Sequence, residues 1–580
     1  MGFLKSVGTS VIYIGLALAL ITFIPGLPPE ARFSEISLTP TFEFNGHLGP
    51  NKRLDNAEIL FAGKLKGAES FDSYNGELYS GIHGGYVIKI TENDIVPIVK
   101  FGKQCDGYWQ EDKCGRPLGL KFNKNGDLYV IDAYHGVFQV DVKQSKYQQI
   151  IDISKPIEGK VPKTPNSLDI ANNGDIYWTD SSSDFKLYDG VYTSLADPSG
   201  RLIRYNAAKK TNEVLLKNLA FANGVILSND ESFLLVSETF GSRVRKYHLK
   251  GPGAGESTIF AQGLPGLPDN IHSDGEGGFL VSLVAYADLN HPILTQTLMP
   301  HPLIRKMLVR LLWLIELPMK YFHEAYPNVF AEKFIHAMGS FEAFSFMSNN
   351  MPLIIRFGRN GNVIETAYGS NDNLTSVSSA FIHNNYVYFG SPYAEYIARA
   401  QVQDVFPELT RTATHFRIER EVHRAGNAAK ATVKKISTSN TPPSAASKPL
   451  QAQTTTTTSA TTTTTTTTTP RPTTQKSTPP TTQRKTTPNT TPPSSITPTT
   501  TPPPTKAPIQ KSTTPKPSVK PAVKTEAQES MPVDEGTKSK VLPMQESKAP
   551  SIEKEAKSSE QKPVKNTKVP EQKKESISKH

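Results

Sequence analysis

Five oxygen-bearing side chains recur in this sequence at one phase of a repeat: Glu69, Asn166, Asn223, Asp269 and Asn270. They stand in Gly67-Ala68-Glu69-Ser70, Pro165-Asn166-Ser167-Leu168-Asp169, Ala222-Asn223-Gly224-Val225 and Leu267-Pro268-Asp269-Asn270-Ile271. Two carboxylates and three amide carbonyls, without sulfur or imidazole, suit a hard cation, calcium above all. Such an ion would also neutralise two acids that otherwise repel in a confined channel. Asn and Asp are common turn formers too, but four such positions in phase with a repeat favour a metal.

The elements that must position these residues show as a turn followed by a strand ending in an aromatic. Copies are Gly76-Glu77-Leu78-Tyr79, Gly126-Asp127-Leu128-Tyr129, Gly174-Asp175-Ile176-Tyr177 and Asn385-Tyr386-Val387-Tyr388, with looser ones at Glu231-Ser232-Phe233-Leu234 and Gly277-Gly278-Phe279-Leu280. The first five are roughly 45 to 60 residues apart, one four-stranded blade each, and the last gap is about twice that. The fold class predicted is all-β: a six-bladed β-propeller over 51–425, its fifth blade carrying a helical insert at 286–351. A propeller gathers residues distant in sequence at its axis, and the oxygen ligands precede its inner strands.

The flanks differ in kind. Val7 to Ile24 is an apolar run without charge, at the lower limit of what spans a bilayer. Lys5 precedes it, and Thr22-Phe23-Ile24 makes a poor cleavage site. The expectation is an uncleaved transmembrane signal-anchor at 7–24, with 1–6 cytoplasmic, 25–50 a linker, and the propeller outside the plasma membrane in type II orientation. Beyond Arg424, threonine runs at 454–458 and 461–469 mark a mucin-like region, 426–530, followed by a charged disordered tail, 531–580. O-linked sugars there would be ligands for lectins or other glycan-binding proteins, and the sequons at Asn373 and Asn489 fit the same secretory route. The two cysteines, Cys105 and Cys114, are read as a structural disulfide in an exported domain. The net charge of +10 owes much to the lysine-rich tail. No basic stripe interleaves with aromatics, so nucleic acid is not an expected partner.

Within the insert, Leu303 to Ile315 reads as a helix, with Arg305, Lys306 and Arg310 among a broad apolar surface. It either dips into a headgroup layer beside the anchor or packs on the propeller as a lid, and the two are compatible. Either offers an apolar wall, which favours a small apolar ester or lactone as ligand.

Glu69, Asn166, Asn223-Gly224 and Pro268-Asp269-Asn270, with Cys114-Gly115-Arg116-Pro117-Leu118-Gly119 and Trp178-Thr179-Asp180-Ser181-Ser182-Ser183, resemble the strictosidine synthase-like family from Phe44 to Gln403. The resemblance implies a six-bladed propeller and, as in the related paraoxonases, a calcium at the five positions named. It also implies limits on chemistry. Strictosidine synthase uses a glutamate on its last blade, and the matching stretch Thr375-Ser376-Val377-Ser378-Ser379-Ala380 holds no acid. The two paraoxonase histidines would fall near Leu118 and Ala133, and His135 close by reads as structural. A general base is still wanted, and Asp132, Asp180, Glu238 and His272 are the candidates. The sequence therefore points first to a surface glycoprotein acting in recognition, with residual calcium-dependent esterase chemistry. The alternative is a calcium-dependent arylesterase or lactonase.

Overall fold

The computed structural model describes residues 2–411, apart from 289–290, 346–350 and 371–372. The mucin-like region, the charged tail and Asn489 lie outside the described residues. Six antiparallel sheets of four strands each form the body. The first blade is Phe71–Tyr74, Glu77–Ile82, Tyr86–Ile90 and Ile95–Lys100, and the next four follow in chain order. The sixth joins Ser379–His383, Tyr386–Gly390 and Ile397–Gln401 to Glu58–Leu60, which comes from the other end of the domain. Glu58 lies opposite Arg399 and Leu60 opposite Ile397, so paired strand ends close the ring.

The repeated turn has a physical reason for its composition. Its pivot residue has positive φ in every copy: Gly76 at 81°, Gly126 at 89°, Gly174 at 86°, Gly277 at 91°, Asn385 at 66° and Glu231 at 52°. Glycine and then asparagine bear the left-handed region at least cost, and the copy with glutamate is a looser match in sequence. The inner strands of the blades are largely buried on both faces, so they read as apolar runs, while the outermost strands such as Lys146–Ile151 are exposed. Trp178 packs toward the second blade while its neighbour Tyr177 packs toward the fourth. Leu280 and Val281 divide in the same way between the sixth and fourth blades.

In the fifth blade, helices Leu294–Thr297, Pro302–Ala325, Val329–Gly339 and Phe341–Phe344 lie between the strands Phe279–Tyr286 and Leu353–Phe357. The second of them runs on through Pro318, well past Ile315 where its sequence signal was read to end. A proline there removes one backbone donor, and apolar residues at helical spacing on both sides carry the helix across it.

The N-terminal helix is Gly2–Phe23, and Lys5–Phe23 is long and apolar enough to cross a membrane. The following segment, expected as a linker, is tied to the propeller along its length. Ser34 N donates to Asp197 Oδ1 at 2.8 Å, Phe42 N to Gly263 O at 3.0 Å, and Phe44 enters the core between the fourth and fifth blades. Cys105 and Cys114 form a disulfide, their Cα atoms 5.6 Å apart.

Candidate functional site

The inner strands reach the axis where their pairing breaks. In the second to fifth blades the register with the next strand shifts at Pro117/Leu120, Pro165/Leu168, Ala222/Val225 and Pro268/Ile271. Each shift releases two residues from the ladder, and such bulges re-aim side chains. The first of each pair, Leu118, Asn166, Asn223 and Asp269, lines one cavity of about 110 Å³ together with Glu69. Asn270, the second of its pair, lines the next cavity along the axis, of about 260 Å³. Gly224 makes this crowding feasible, because a Cβ there would stand 2.6 Å from Asp269 O.

Hydroxyls satisfy the carbonyls that the bulges release. Thr179 Oγ1 donates to Asn223 O at 2.8 Å, Ser181 Oγ to Ala222 O at 2.7 Å, Thr239 Oγ1 to Pro268 O at 2.8 Å, and Ser378 Oγ to Glu69 O at 2.8 Å. The Thr179-Asp180-Ser181 motif is thus a clamp between blades. Thr239 in turn orients a side chain of the cavity. Thr239 Oγ1 commits its hydrogen to Pro268, so it accepts from Asn223 Nδ2 at 3.2 Å. That leaves Asn223 Oδ1 for the cavity.

Asn166 Oδ1, Asn223 Oδ1 and Asp269 Oδ1 are all buried without a hydrogen-bond partner. Each such atom costs about 1–3 kcal/mol, so three converging oxygens are unfavourable unless positive charge meets them. The carboxyls give the same sign. Burial raises Glu69 above the usual range against the pull of Arg116, whose Nη2 is 3.6 Å away. Burial first, and the charge of Glu69 second, push Asp269 well above it. The donor set fits a calcium ion, which takes about 6–8 oxygens. Among the described residues no group of three or more His, Cys, Asp or Glu is arranged for a metal. A cation here would depend on the amides, with only two carboxylates in support.

Other groups on the same cavity wall escaped the sequence reading, His83, Glu111, His336, Phe341 and Glu342, and they stand with Arg116 of the Cys114–Gly119 motif. Glu111 belongs to the short helix Glu111–Cys114 within the disulfide loop, so the crosslink holds a carboxyl at the cavity. Tyr134 OH donates to its Oε1, and His83 Nδ1 lies 3.9 Å from its Oε2. Burial pushes Glu111 up to about 7. Burial, then Arg116 and Lys66, hold His83 well below its usual value, so it is neutral. Its Nε2 lies 3.3 Å from Pro392 O and must carry the hydrogen, which leaves Nδ1 as a buried lone pair. His83 follows a repeat strand and was visible in phase, whereas nothing local distinguished Glu111.

The four candidate bases lie elsewhere. Asp180 takes two bonds from Arg201 on Oδ2, at 2.7 and 3.0 Å, and backbone N–H groups of Lys163 and Thr164 on Oδ1. Glu238 is held by Arg243, Arg245 and Ala220 N. Both are fully engaged and line neither cavity. Asp132 accepts from Tyr134 N and His135 N, keeps a buried Oδ2 without a partner, and also lies off both cavities. His272 belongs to the second cavity, its Nε2 2.8 Å from Ser379 Oγ, and burial lowers it to about 3. Asn373 is exposed at the surface.

The comparisons agree with this architecture. The strictosidine synthase family model matches residues 166–252, which cover the third blade and the first three strands of the fourth, with Asn166 and Asn223. The chain is similar to the adipocyte plasma membrane-associated protein hemomucin of Drosophila melanogaster, 40% identical over 408 residues, 69% of this chain and 70% of that one. It is 33% identical to the adipocyte plasma membrane-associated protein of Rattus norvegicus over 382 residues, 65% of this chain and 93% of the relative. A gluconolactonase from Xanthomonas campestris shows a distant likeness in structure, with TM-score 0.39 and 13% identity over 63% of this chain and 98% of that one, too remote to bear on chemistry. The bulged axial residues and the sequence identity together show that the chain belongs to the strictosidine synthase-like family, among the adipocyte plasma membrane-associated proteins and hemomucin.

Proposed function

We propose that the propeller is a calcium-binding hydrolase of esters or lactones, carried on a membrane-anchored surface glycoprotein. The observation that carries this reading is the convergence of three buried, unpartnered oxygens, from Asn166, Asn223 and Asp269, beside Glu69. Glu69, Asn166, Asn223 and Asp269 would hold the ion, with Asn270 contributing from the same bulge as Asp269. When bound, calcium supplies charge that polarises a carbonyl oxygen. The chain's own residues supply the rest. Glu111, raised to about 7, takes the proton of an attacking water, and Tyr134 steadies the carboxylate. His83 Nδ1 offers a second acceptor on the same wall. Leu118, Phe221, Phe240 and Phe341 line the cavity with apolar surface and favour a small apolar substrate.

The test is hydrolysis of a panel of aryl esters and lactones by the detergent-solubilised full chain, with and without a chelator, and in Asn223→Ala and Asp269→Ala. Turnover lost in all three supports the reading. A folded protein that binds calcium and turns over no panel member leaves the ion structural.

A second, compatible reading is favoured by the threonine runs and by the 40% identity to a protein named hemomucin. In it the type II anchor holds the protein at the plasma membrane, and O-glycosylated 426–530 serves lectin recognition. Deletion of that segment should abolish binding of galactosamine-specific lectins, and retained binding would end this reading.

A further inference from the structure

The helix Pro302–Ala325 is amphipathic in the wrong sense for water. It buries Arg305, Val309 and Glu316 at helical spacing, and Arg310 beside them. Each buried charge is answered. Arg305 donates to Leu195 O at 2.8 Å and pairs with Asp197 at 3.3 Å. Glu316 accepts from Tyr192 OH at 2.7 Å and pairs with Lys320 at 3.0 Å. The outward surface is apolar instead: Leu303 and Ile304 at the start of the helix and Ile315, Tyr321 and Phe322 further along stand exposed, while Leu308 and Leu312 pack inward. Ile315 is 48% exposed and Phe322 47%, and Tyr326 at 70% and Phe330 at 66% extend the surface into the next helix. A contiguous exposed patch of this kind marks an interaction site.

Arg310 indicates the partner. Its Nη1 donates to Ile21 O, Thr22 O and Ile24 O at 3.0, 3.0 and 2.9 Å. Ile21 O and Thr22 O are among the last carbonyls of the anchor helix, which have no intrahelical donor, and Ile24 O follows directly after its end; a cation there also meets the negative end of the helix dipole. The contact joins the insert to the anchor at the point where the anchor leaves the bilayer. We propose that the Pro302–Ala325 helix and the start of Val329–Gly339 lie in the leaflet from which the anchor emerges, apolar surface into the lipid. Tyr321 and Tyr326 suit that boundary, with rings in the lipid and hydroxyls in water. Lys306 and Lys320 keep their charges at its edge. The insert also lends His336, Phe341 and Glu342 to the axial cavity, so the element seated in the membrane roofs the site. Delivery of substrate from the lipid rests on the hydrolase reading; the seating itself does not.

The test uses the full chain in lipid nanodiscs. Because Cys105 and Cys114 are paired and no other cysteine exists, an introduced cysteine takes a nitroxide alone. Labels at Phe322→Cys, Tyr326→Cys and Phe330→Cys should be several-fold more accessible to oxygen than to a water-soluble nickel chelate. A label at Lys209→Cys, on an exposed turn of the third blade, should show the reverse. Equal chelate access at 326, 330 and 209 would overturn the proposal. Tyr326 projects outward enough for that arm to survive even if Phe322→Cys fails to fold. Ester hydrolysis on the same samples separates the two readings: lipid-buried labels without turnover leave the seating standing and remove the hydrolase.

Discussion

The two cavities along the propeller axis are built from the same inner strands and settle charge in opposite ways. In the first, Glu69 has Arg116 at 3.6 Å, Asp269 has no cationic partner, and three side-chain oxygens meet no donor. In the second, the lining residue Lys121 donates from Nζ to Asp72 at 3.4 Å, and Asp72 also accepts from Phe122 N at 2.7 Å. Asp169 accepts from Ile170 N at 2.8 Å and Leu227 N at 2.7 Å, with the Lys121 charge acting on it as well. One cavity answers its carboxylates with a lysine and backbone donors, while in the other Arg116 serves Glu69 and three oxygens are left without a donor among the described residues. Carboxylates near an axis therefore do not mark a metal site by themselves. What supports the proposed cation site is the set of three unpartnered oxygens on one cavity.

The strongest way to break this contrast is a matched pair of substitutions. Asp269→Asn should weaken calcium binding by on the order of 100-fold and bring turnover to background, measured by titration calorimetry and the ester assay. Asp169→Asn in the other cavity should leave calcium binding unchanged. Equal effects would mean that the two cavities do not differ as described. Glu111→Gln should lower turnover by about 100-fold or more while sparing calcium affinity. Because Glu111 is raised to about 7, turnover of the unmodified protein should climb as pH passes that value. The variant should lose that limb.

The same groups give the cavities opposite pH signatures in stability. Glu111 is raised from 4.5 to about 7, so the unfolded chain releases its proton first. Its contribution is fully present below pH 4.5 and is lost as pH rises toward 7. His272 is lowered from 6.5 to about 3, so the unfolded chain binds the proton first. Its contribution is present above pH 6.5 and is lost as pH falls toward 3. Urea unfolding across this range should show Glu111→Gln flattening the first slope and His272→Phe the second. An unchanged profile in either variant would remove that residue from the account. The smallest effect is expected for Lys121→Met, about 1 kcal/mol after allowance for solvent at the lysine tip. Added calcium should not restore it. Restoration would show that the second cavity can also take a cation.

Much of this was legible before any coordinates. Five of the six turn pivots are glycine or asparagine because they need positive φ, so blade phase could be read from Gly76, Gly126, Gly174, Gly277 and Asn385. The proposed ligand positions Asn166, Asn223, Asp269 and Asn270 stand out in the sequence for a related reason: they sit at the start of inner strands, where the ladder shifts at the same place in successive blades. The candidate bases fared differently. Asp180 and Glu238 carry the right chemistry in the right motif, yet each is surrounded by arginines and backbone donors. Partners that arrive from the neighbouring strand are invisible in the local sequence. Glu111 was hidden in the opposite way. Its loop looked purely structural, and only packing brought its carboxyl to the cavity.

The sequence by itself determined the propeller, its anchor-like helix, the disulfide cysteines and the set of oxygen donors, because all of these rest on local backbone preference or on a periodic pattern. Only the tertiary structure decided which oxygens lack a donor, which acids are already paired, and that Arg310 meets the end of the N-terminal helix. Those are meetings between segments far apart in the chain. Their energies depend on burial and on the exact partner, and neither is present until the blades close.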